Sequence, residues 1–532
     1  MMHTTVGRLL GERAREQGSN DYVVCDRDRL TYAAAEERSR ALARGLLAAG
    51  AGRGSRIGML FPTGVDFVVT WLGIVRVGAT AVPISTFSTS LEIRELASGS
   101  DMTMLLGVAD YRGHDYVRAL GDAFDADLSA PGEIFTPAAA WLRRIHLHGI
   151  DDRVHAAHRI AALYEEGEAI DEALLDAVEA DVHPDDRMVM VHTSGSTSSP
   201  KGVIHGHGAL LTHLDNLNQL RGLTRGVRLF SNSPLFWIGG IGYNLVGTLV
   251  AGATLLCSAS LDPEETLDFV ERERPELVNG FVQSIAHLIS HPSFAGRDFS
   301  SIRSGNLYPI MPDGVRPTDP ELRHNMLGMT EAGSVCLMSP DESDQPERYR
   351  GSFGRPVPEL EARVVEPEST TVCAPGEAGE LWLRGPLLME GYYGRERAQV
   401  FTPDEWYRTG DVFSVDADGF FYFRGRRSDM IKTGGANVSP REVEAALRDL
   451  TGGLVPIVLG LPDPERDQIV AGVIVAPSDV DLDIPALMEA LRARLSAYKV
   501  PRKLIRMTPD ELPMLSSGKP DMKRLMEVVG GR

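Results

Sequence analysis

Residues 188–208 read MVMVHTSGSTSSPKGVIHGHG. The apolar run Met188–Val191 predicts a buried strand that leads straight into a loop of Ser, Thr and Gly, followed by Lys201-Gly202 and a second apolar pair. Small residues let backbone N–H groups and hydroxyls crowd around a polyphosphate, and Lys201 adds a positive charge. No Gly-Lys-Ser/Thr follows and the glycine spacing is wrong, so this is not a Walker A loop. Taken by itself, the segment also reads as a flexible surface loop.

Outward from this loop, helical and strand patterns alternate. Thr31–Ala49 has helical spacing and stops at Gly50, Arg56–Phe61 reads as a short buried strand, Asp66–Val77 as helix and Thr80–Ile84 as strand. The alternation predicts an α/β fold: a large, multi-subdomain N-terminal domain of helix-covered sheets, followed by a small α+β domain. Residues 143–180 read as a charged, helical excursion over the surface. Near Asp404 the texture shifts to short strands, Val412–Val415 and Phe420–Arg424, around the turn DADG. The last hundred residues have strands at Pro456–Leu461 and Ile469–Val475 and helices at Ser439–Leu450 and Ile484–Leu495. We place the boundary between domains 1–427 and 428–532.

Composition narrows the classes. Of 532 residues, 43% are hydrophobic and 24% charged, which excludes a wholly disordered chain. With 54 Lys and Arg against 74 Asp and Glu, the net charge of −20 disfavours nucleic acid and anionic lipid as partners. The four cysteines are far apart in sequence and form no CxxC pair, which suits a reducing cytoplasmic setting. The N-terminus lacks the form of a secretory signal. Phe67–Ile84 is apolar, but Arg76, two glycines and Pro83 interrupt it, so a buried helix and strand are expected rather than a membrane span.

Four further segments complete the chemistry: LGMTEAG (327–333), YRTGD (407–411), GRRSDMIKTGGANVSPREVE (425–444) and LSSGKPDMKR (515–524). Together with TSGSTSSPKG they resemble, in order, the motifs of the adenylate-forming superfamily of acyl-CoA synthetases, peptide-synthetase adenylation domains and beetle luciferases. The match is nearest in kind to fatty-acid–CoA ligases. The resemblance implies that ATP is cradled by Thr193, Ser194, Gly195, Ser196, Thr197 and Lys201, with Gly328 and a looser turn at Ser304, Gly305 and Asn306 against the adenine. It implies that Asp411 and Arg426, fifteen residues apart, meet the ribose. Thr330 and Glu331 would face phosphate and Mg²⁺, a hard cation suited to a carboxylate. Lys519 would reach the carboxylate and α-phosphate during adenylation, where an ammonium offsets the repulsion of two anions. Gly434 and Gly435 would line the tunnel for the coenzyme A thiol, after a hinge near Ser428-Asp429.

Departures from the family pattern carry information too. Ser198 replaces a usual glycine, Leu327 replaces an aromatic residue near the adenine, and Ser428 occupies the hinge position. Trp237 stands for a common histidine beside the acyl pocket, whose expected lining is Trp237, Ile238, Ile241 and Tyr243. None of these is charged, so an amino-acid ammonium would go unpaired, and a hydrophobic acid (fatty, aryl or sterol-derived) is expected. His146, His148, His155 and His158 lack metal-site spacing and read as surface histidines. His205 and His207 are candidate pocket residues. GGIGYNLVG (239–247) fails the dinucleotide spacing.

The expected activity is ATP-dependent acid–thiol ligation with coenzyme A as acceptor. A carrier-protein pantetheine is the alternative acceptor, luciferase-type oxidation a remote one, and a non-catalytic nucleotide-binding protein the reading from another class. A homodimer stays open at this level.

Overall fold

The computed structural model describes residues 4–149, 152–193, 200–366, 369–426, 430–433, 436–438, 440–464, 466–495, 499–515 and 519–531. The architecture is mixed α/β, in two compact units: residues 1–361 with 384–405, and residues 362–383 with 406–532. Residues 427–429, where the sequence places its boundary, lie outside the described residues.

In the first unit, a seven-stranded sheet runs in the order Gly391–Tyr392, Lys201–Gly206, Arg187–Thr193, Thr80–Pro83, Arg56–Leu60, Met104–Val108, Arg144–His148. Its inner strands pair in parallel and read as continuous apolar runs, as sheets covered on both faces require. A six-stranded sheet orders Ser304–Gly305, Leu277–Asn279, Arg228–Ser231, Thr254–Cys257, Asp21–Cys25 and Asp28–Thr31. Cys25 and Cys257, distant in sequence, are register partners here, and both are free thiols.

The apolar stretch after Gly64 forms the helix Val65–Arg76 and the strand Thr80–Pro83. The helix is buried all round, as a core helix should be. No helix among the described residues is long and apolar enough to cross a membrane. Arg76 ends this helix with a side chain 0% exposed, donating from Nε to Ser39 Oγ at 2.9 Å and pairing with Glu36 and Glu179. It thereby ties together helices Tyr32–Ala48, Val65–Arg76 and Glu172–Asp181. Replacing Arg76 with Met unpairs Glu36 and leaves Glu179 only its longer pairing with Arg40 at 3.5 Å, so a loss of about 2 kcal/mol of stability is expected. Urea unfolding reads this directly; a loss below ~1 kcal/mol would show the pairs to be weak.

The excursion expected at 143–180 is corrected. Arg144–His148 is an edge strand of the large sheet, paired in parallel with Met104–Val108 and burying Ile145 and Leu147. His146 and His158 are therefore buried, not surface histidines. His158 reaches the carbonyl oxygens of Ile145 and Ala130 at 3.0 and 3.1 Å. Helices Ile160–Gly167 and Glu172–Asp181 follow.

The second unit holds a four-stranded antiparallel sheet, Glu361–Val365, Ala378–Arg384, Tyr407–Val415, Phe421–Arg426, and a separate sheet built on the hairpin Val455–Asp463 and Asp467–Val475. Alternate residues of that hairpin face opposite sides. Val458, Val470 and Ile474 pack with residues of helices Pro440–Leu450 and Ile484–Arg494. Ile457, Leu459 and Val473 pack with Leu525 and Val529 of helix Met522–Gly531.

Candidate active site

The strand Arg187–Thr193 and the strand Lys201–Gly206 form an antiparallel hairpin with Thr193 opposite Lys201. Residues 194–199 between them, Ser194, Gly195, Ser196, Thr197 and Ser198 included, lie outside the described residues. Lys201 holds its ammonium 5.2 Å from the centre of the Tyr392 ring. The same Tyr392 donates its hydroxyl to Glu331 Oε1 at 2.8 Å. One tyrosine thus links the lysine beneath the loop to the candidate metal-binding carboxylate. Tyr392 is placed by pairing of Gly391–Tyr392 onto Lys201–Gly206, with Val203 opposite it.

Thr330 and Glu331 sit half-buried on a single turn, Thr330–Ala332, after the strand Leu327–Met329 that carries Gly328. Three contacts fix the turn. Gly333 N–H donates to Thr330 O at 3.0 Å, Met389 N–H to Glu331 O at 2.9 Å, and His205 Nε2 to Thr330 O at 2.7 Å. Burial lowers the His205 pKa to about 4, so the ring is neutral and donates from that nitrogen. His205 is accordingly a support beneath the turn. His207 opens the helix His207–Arg221 and accepts from Val6 N–H at 3.2 Å.

The glycines of GGIG acquire a reason. Residues Gly239–Val246 are helical, and a Cβ at Gly242 would stand 2.8 Å from Gly333 O while one at Gly240 would collide with the Pro234 carbonyl. The helix therefore abuts the Thr330–Gly333 turn backbone to backbone. Of the expected acyl-pocket residues, Ile241 is wholly buried and Tyr243 nearly so, whereas Trp237 and Ile238 are half-buried. Trp237 packs edge-on to Phe236 and Phe281, with ring centres 5.6 and 5.5 Å apart, making an aromatic wall.

Ser304–Gly305 is a short strand against Leu277–Asn279. Gly305 has φ +124° and lies where a Cβ would strike the Val278 carbonyl, so no other residue fits. The Asn306 amide is spent within the fold, accepting from Gly280 N–H at 2.8 Å and donating to Gly280 O at 2.9 Å. The backbone N–H groups of Gly305 and Asn306 are likewise taken, by Glu342 at 3.3 Å and by Val278 O at 2.9 Å.

In the second unit, Asp411 and Arg426 are register partners on adjacent strands, and Arg426 Nε lies 2.9 Å from Asp411 Oδ1. Asp411 is buried while Arg426 is largely exposed. The turn before Asp411 is held by Glu380, whose carboxylate accepts from Gly410 N–H, Trp382 Nε1 and Arg408 at 3.1–3.2 Å. Lys519 is exposed on a turn closed at its base by Leu515 N–H donating to Lys519 O at 2.8 Å and by a Met514–Pro520 bridge. Ser428, Asp429, Gly434 and Gly435 lie outside the described residues.

Sequence reasoning missed Tyr392 and Glu380. A signal for each was present, in GYYG (391–394) and GEL (379–381), but neither segment announces a partner.

The profile of the AMP-binding enzyme family matches residues 10–393. Feruloyl-CoA synthase from Amycolatopsis sp is 32% identical over 501 residues, 92% of this chain and 92% of its own. The 3-hydroxybenzoate–CoA ligase of Aromatoleum sp. (strain CIB) is 29% identical over 94% of this chain and 92% of its own. An anthranilate CoA ligase solved in complex with anthranoyl-AMP superposes with a TM-score of 0.81 at 22% identity, covering 99% of this chain and 98% of that one. The O-succinylbenzoate coenzyme A synthetase of Bacillus subtilis, solved with AMP, gives 0.77 at 23% identity over 98% of each chain.

Proposed function

The chain belongs to the AMP-binding enzyme family, and from that premise we propose that it is an AMP-forming ligase joining an aryl or other hydrophobic carboxylic acid to coenzyme A. The observation that carries the reading is the Lys201–Tyr392–Glu331 linkage, which gathers a cation and a carboxylate beside the phosphate-loop hairpin.

In the first half-reaction a carboxylate oxygen of the acid attacks the α-phosphorus of ATP, and pyrophosphate departs with the bonding pair. Thr193 and Lys201, with the loop between them, hold the phosphates. Lys519 offsets the charge of the two approaching anions. Asp411 and Arg426 take the ribose hydroxyls. In the second half-reaction the coenzyme A sulfur attacks the acyl carbon, the thiol proton is lost, and AMP leaves. Gly434 and Gly435 serve this step after a change at the Ser428-Asp429 hinge.

The residues fit Mg²⁺ in the manner of nucleotide enzymes. Among the described residues no three His, Cys, Asp or Glu side chains gather into a metal cage, and Glu331 offers one carboxylate, with only Oε1 taken by Tyr392. A cation held by one carboxylate and substrate phosphates suits that supply. When bound it would draw charge from the departing pyrophosphate.

The aromatic wall at Trp237 supports a ring-bearing acid, as do relatives named for feruloyl and hydroxybenzoate. We keep coenzyme A ahead of a carrier-protein arm for the same reason, and the cytoplasmic setting on the cysteine pattern. The test is acid-dependent exchange of labelled pyrophosphate into ATP. Exchange without coenzyme A, with net AMP release only when coenzyme A is added, is the expected result. ADP and phosphate as products would contradict adenylation.

A further inference from the structure

A small cavity in the first unit, about 40 Å³, lies between Tyr243 of the expected acyl wall and the Gly305-Asn306 turn. Two of its lining groups are hydrogen-bond donors that the fold buries and leaves unmet. Arg221, at the end of helix His207–Arg221, is 7% exposed, and its Nη1 has no hydrogen-bond partner. Its Nε and Nη2 donate to Asn218 Oδ1, and Nη2 also to Tyr243 O at 2.7 Å, while the guanidinium lies 3.9 Å from the centre of the Tyr243 ring. Asn279, 5% exposed at the end of strand Leu277–Asn279, leaves Nδ2 without a partner.

Among the described residues no carboxylate forms an ion pair with Arg221. Burial pulls its pKa below the ordinary arginine value, the Tyr243 phenol offsetting part of that. Asp341 and Glu342 also border the cavity, and neither pairs with Arg221 among the described residues. Glu342 accepts from Gly305 N–H at 3.3 Å, and Asp341 from Ser343 and Gln345. A buried guanidinium without a counter-charge is costly, as is each buried donor left unmet. The cavity has room for a few waters or one ring substituent.

We infer that Arg221 and Asn279 form a specificity pocket for an oxygen acceptor at the end of the acid remote from its reacting carboxylate, so that the preferred substrate is an oxygen-bearing acid rather than a purely apolar one. The inference rests on the ligase reading and deepens it. The oxygen is that of a phenolic hydroxyl or of a second carboxylate; both accept from the same two donors. A wholly apolar acid would leave both donors dry, and sites built around a polar contact reject analogues that lack it far more strongly than apolar pockets reject an extra methylene.

The test compares acyl-CoA formation from cinnamate, 4-hydroxycinnamate and 4-carboxycinnamate, and from benzoate, 4-hydroxybenzoate and terephthalate. On the scaffold that fits, an oxygen-bearing acid should exceed its parent by at least ~10-fold in kcat/KM. The winner of the hydroxy and carboxy arms names the source of the oxygen. In Arg221→Met, and independently in Asn279→Leu, which supplies neither a donor nor an acceptor, that ratio should collapse to within ~3-fold of unity. Because the readout is a ratio within one protein preparation, a general loss of folding does not imitate it. Parent acids turned over as well as their oxygenated partners, or a ratio surviving both substitutions, would overturn the inference and leave the ligase standing. No acyl-CoA from any of the six acids would overturn the aryl-acid reading itself, and the inference with it.

Discussion

Lys519→Ala should lower acid-dependent pyrophosphate exchange by about 10²–10³-fold, the scale of deleting one preorganised charge-stabilising donor. The same variant, supplied with preformed acyl-adenylate and coenzyme A, should lose less than ~5-fold in thioester formation, because no polyphosphate charge remains to be offset. The structure equips the residue for such a task. Lys519 is exposed and has no ion-pair partner among the described residues, so its ammonium is not committed within its own unit. Its backbone is tied down by the Leu515–Lys519 hydrogen bond and the bridge beside it. Equal losses in both half-reactions would show that Lys519 supports the fold or the coenzyme A step instead.

Acid should unfold this protein well above the pH at which its carboxylates titrate. Burial lowers the pKa of His146, His192, His205 and His207 to about 4 and that of His213 to about 3, in each case chiefly by desolvation. In the unfolded chain these rings return to about 6.5. Between those values the unfolded state binds protons that the folded state refuses. The stability they confer is complete above pH 6.5 and is lost progressively as pH falls towards 4. At pH 5 each ring accounts for about 2 kcal/mol, so even with partial relaxation the sum is several kcal/mol, a large share of ordinary domain stability. Urea denaturation should show a marked fall in midpoint between pH 7.5 and 5, and His213→Leu should flatten that dependence. A midpoint unchanged or rising over this range would mean that the buried rings take up protons without opening the first unit.

What could be read from the chain and what could not divide along physical lines. The strand before residue 194 was legible because its apolar run is local, whereas the Thr330-Glu331 and Asp411–Arg426 readings came through the resemblance to the adenylate-forming superfamily. The structure supplies the reason for the fifteen-residue interval: two strands joined through DADG, with a register shift near Val412, bring Asp411 opposite Arg426. The strand Arg144–His148 was hidden because Arg and His flank and interleave Ile145 and Leu147, so its period of two looked like part of a charged helix. His146 and His158 were misread with it. The partners of Tyr392, Glu380 and Arg221 were not legible. Tyr392 meets Glu331 and Lys201, 61 and 191 residues away, and Glu380 meets Arg408 and Gly410, 28 and 30 residues away. Arg221 reaches a cavity whose other walls come from several separate strands and turns.

The central claim, that this chain makes acyl-CoA through an adenylate, is tested most directly by mass spectrometry of the products formed from ATP, Mg²⁺, coenzyme A and a mixed pool of carboxylic acids. The account predicts acyl-CoA and AMP in equal amounts, with ring-bearing, oxygenated acids foremost among the thioesters. Acyl-adenylates accumulating without thioester would move the acceptor to a carrier protein, and the absence of both acyl-adenylate and AMP would contradict the account.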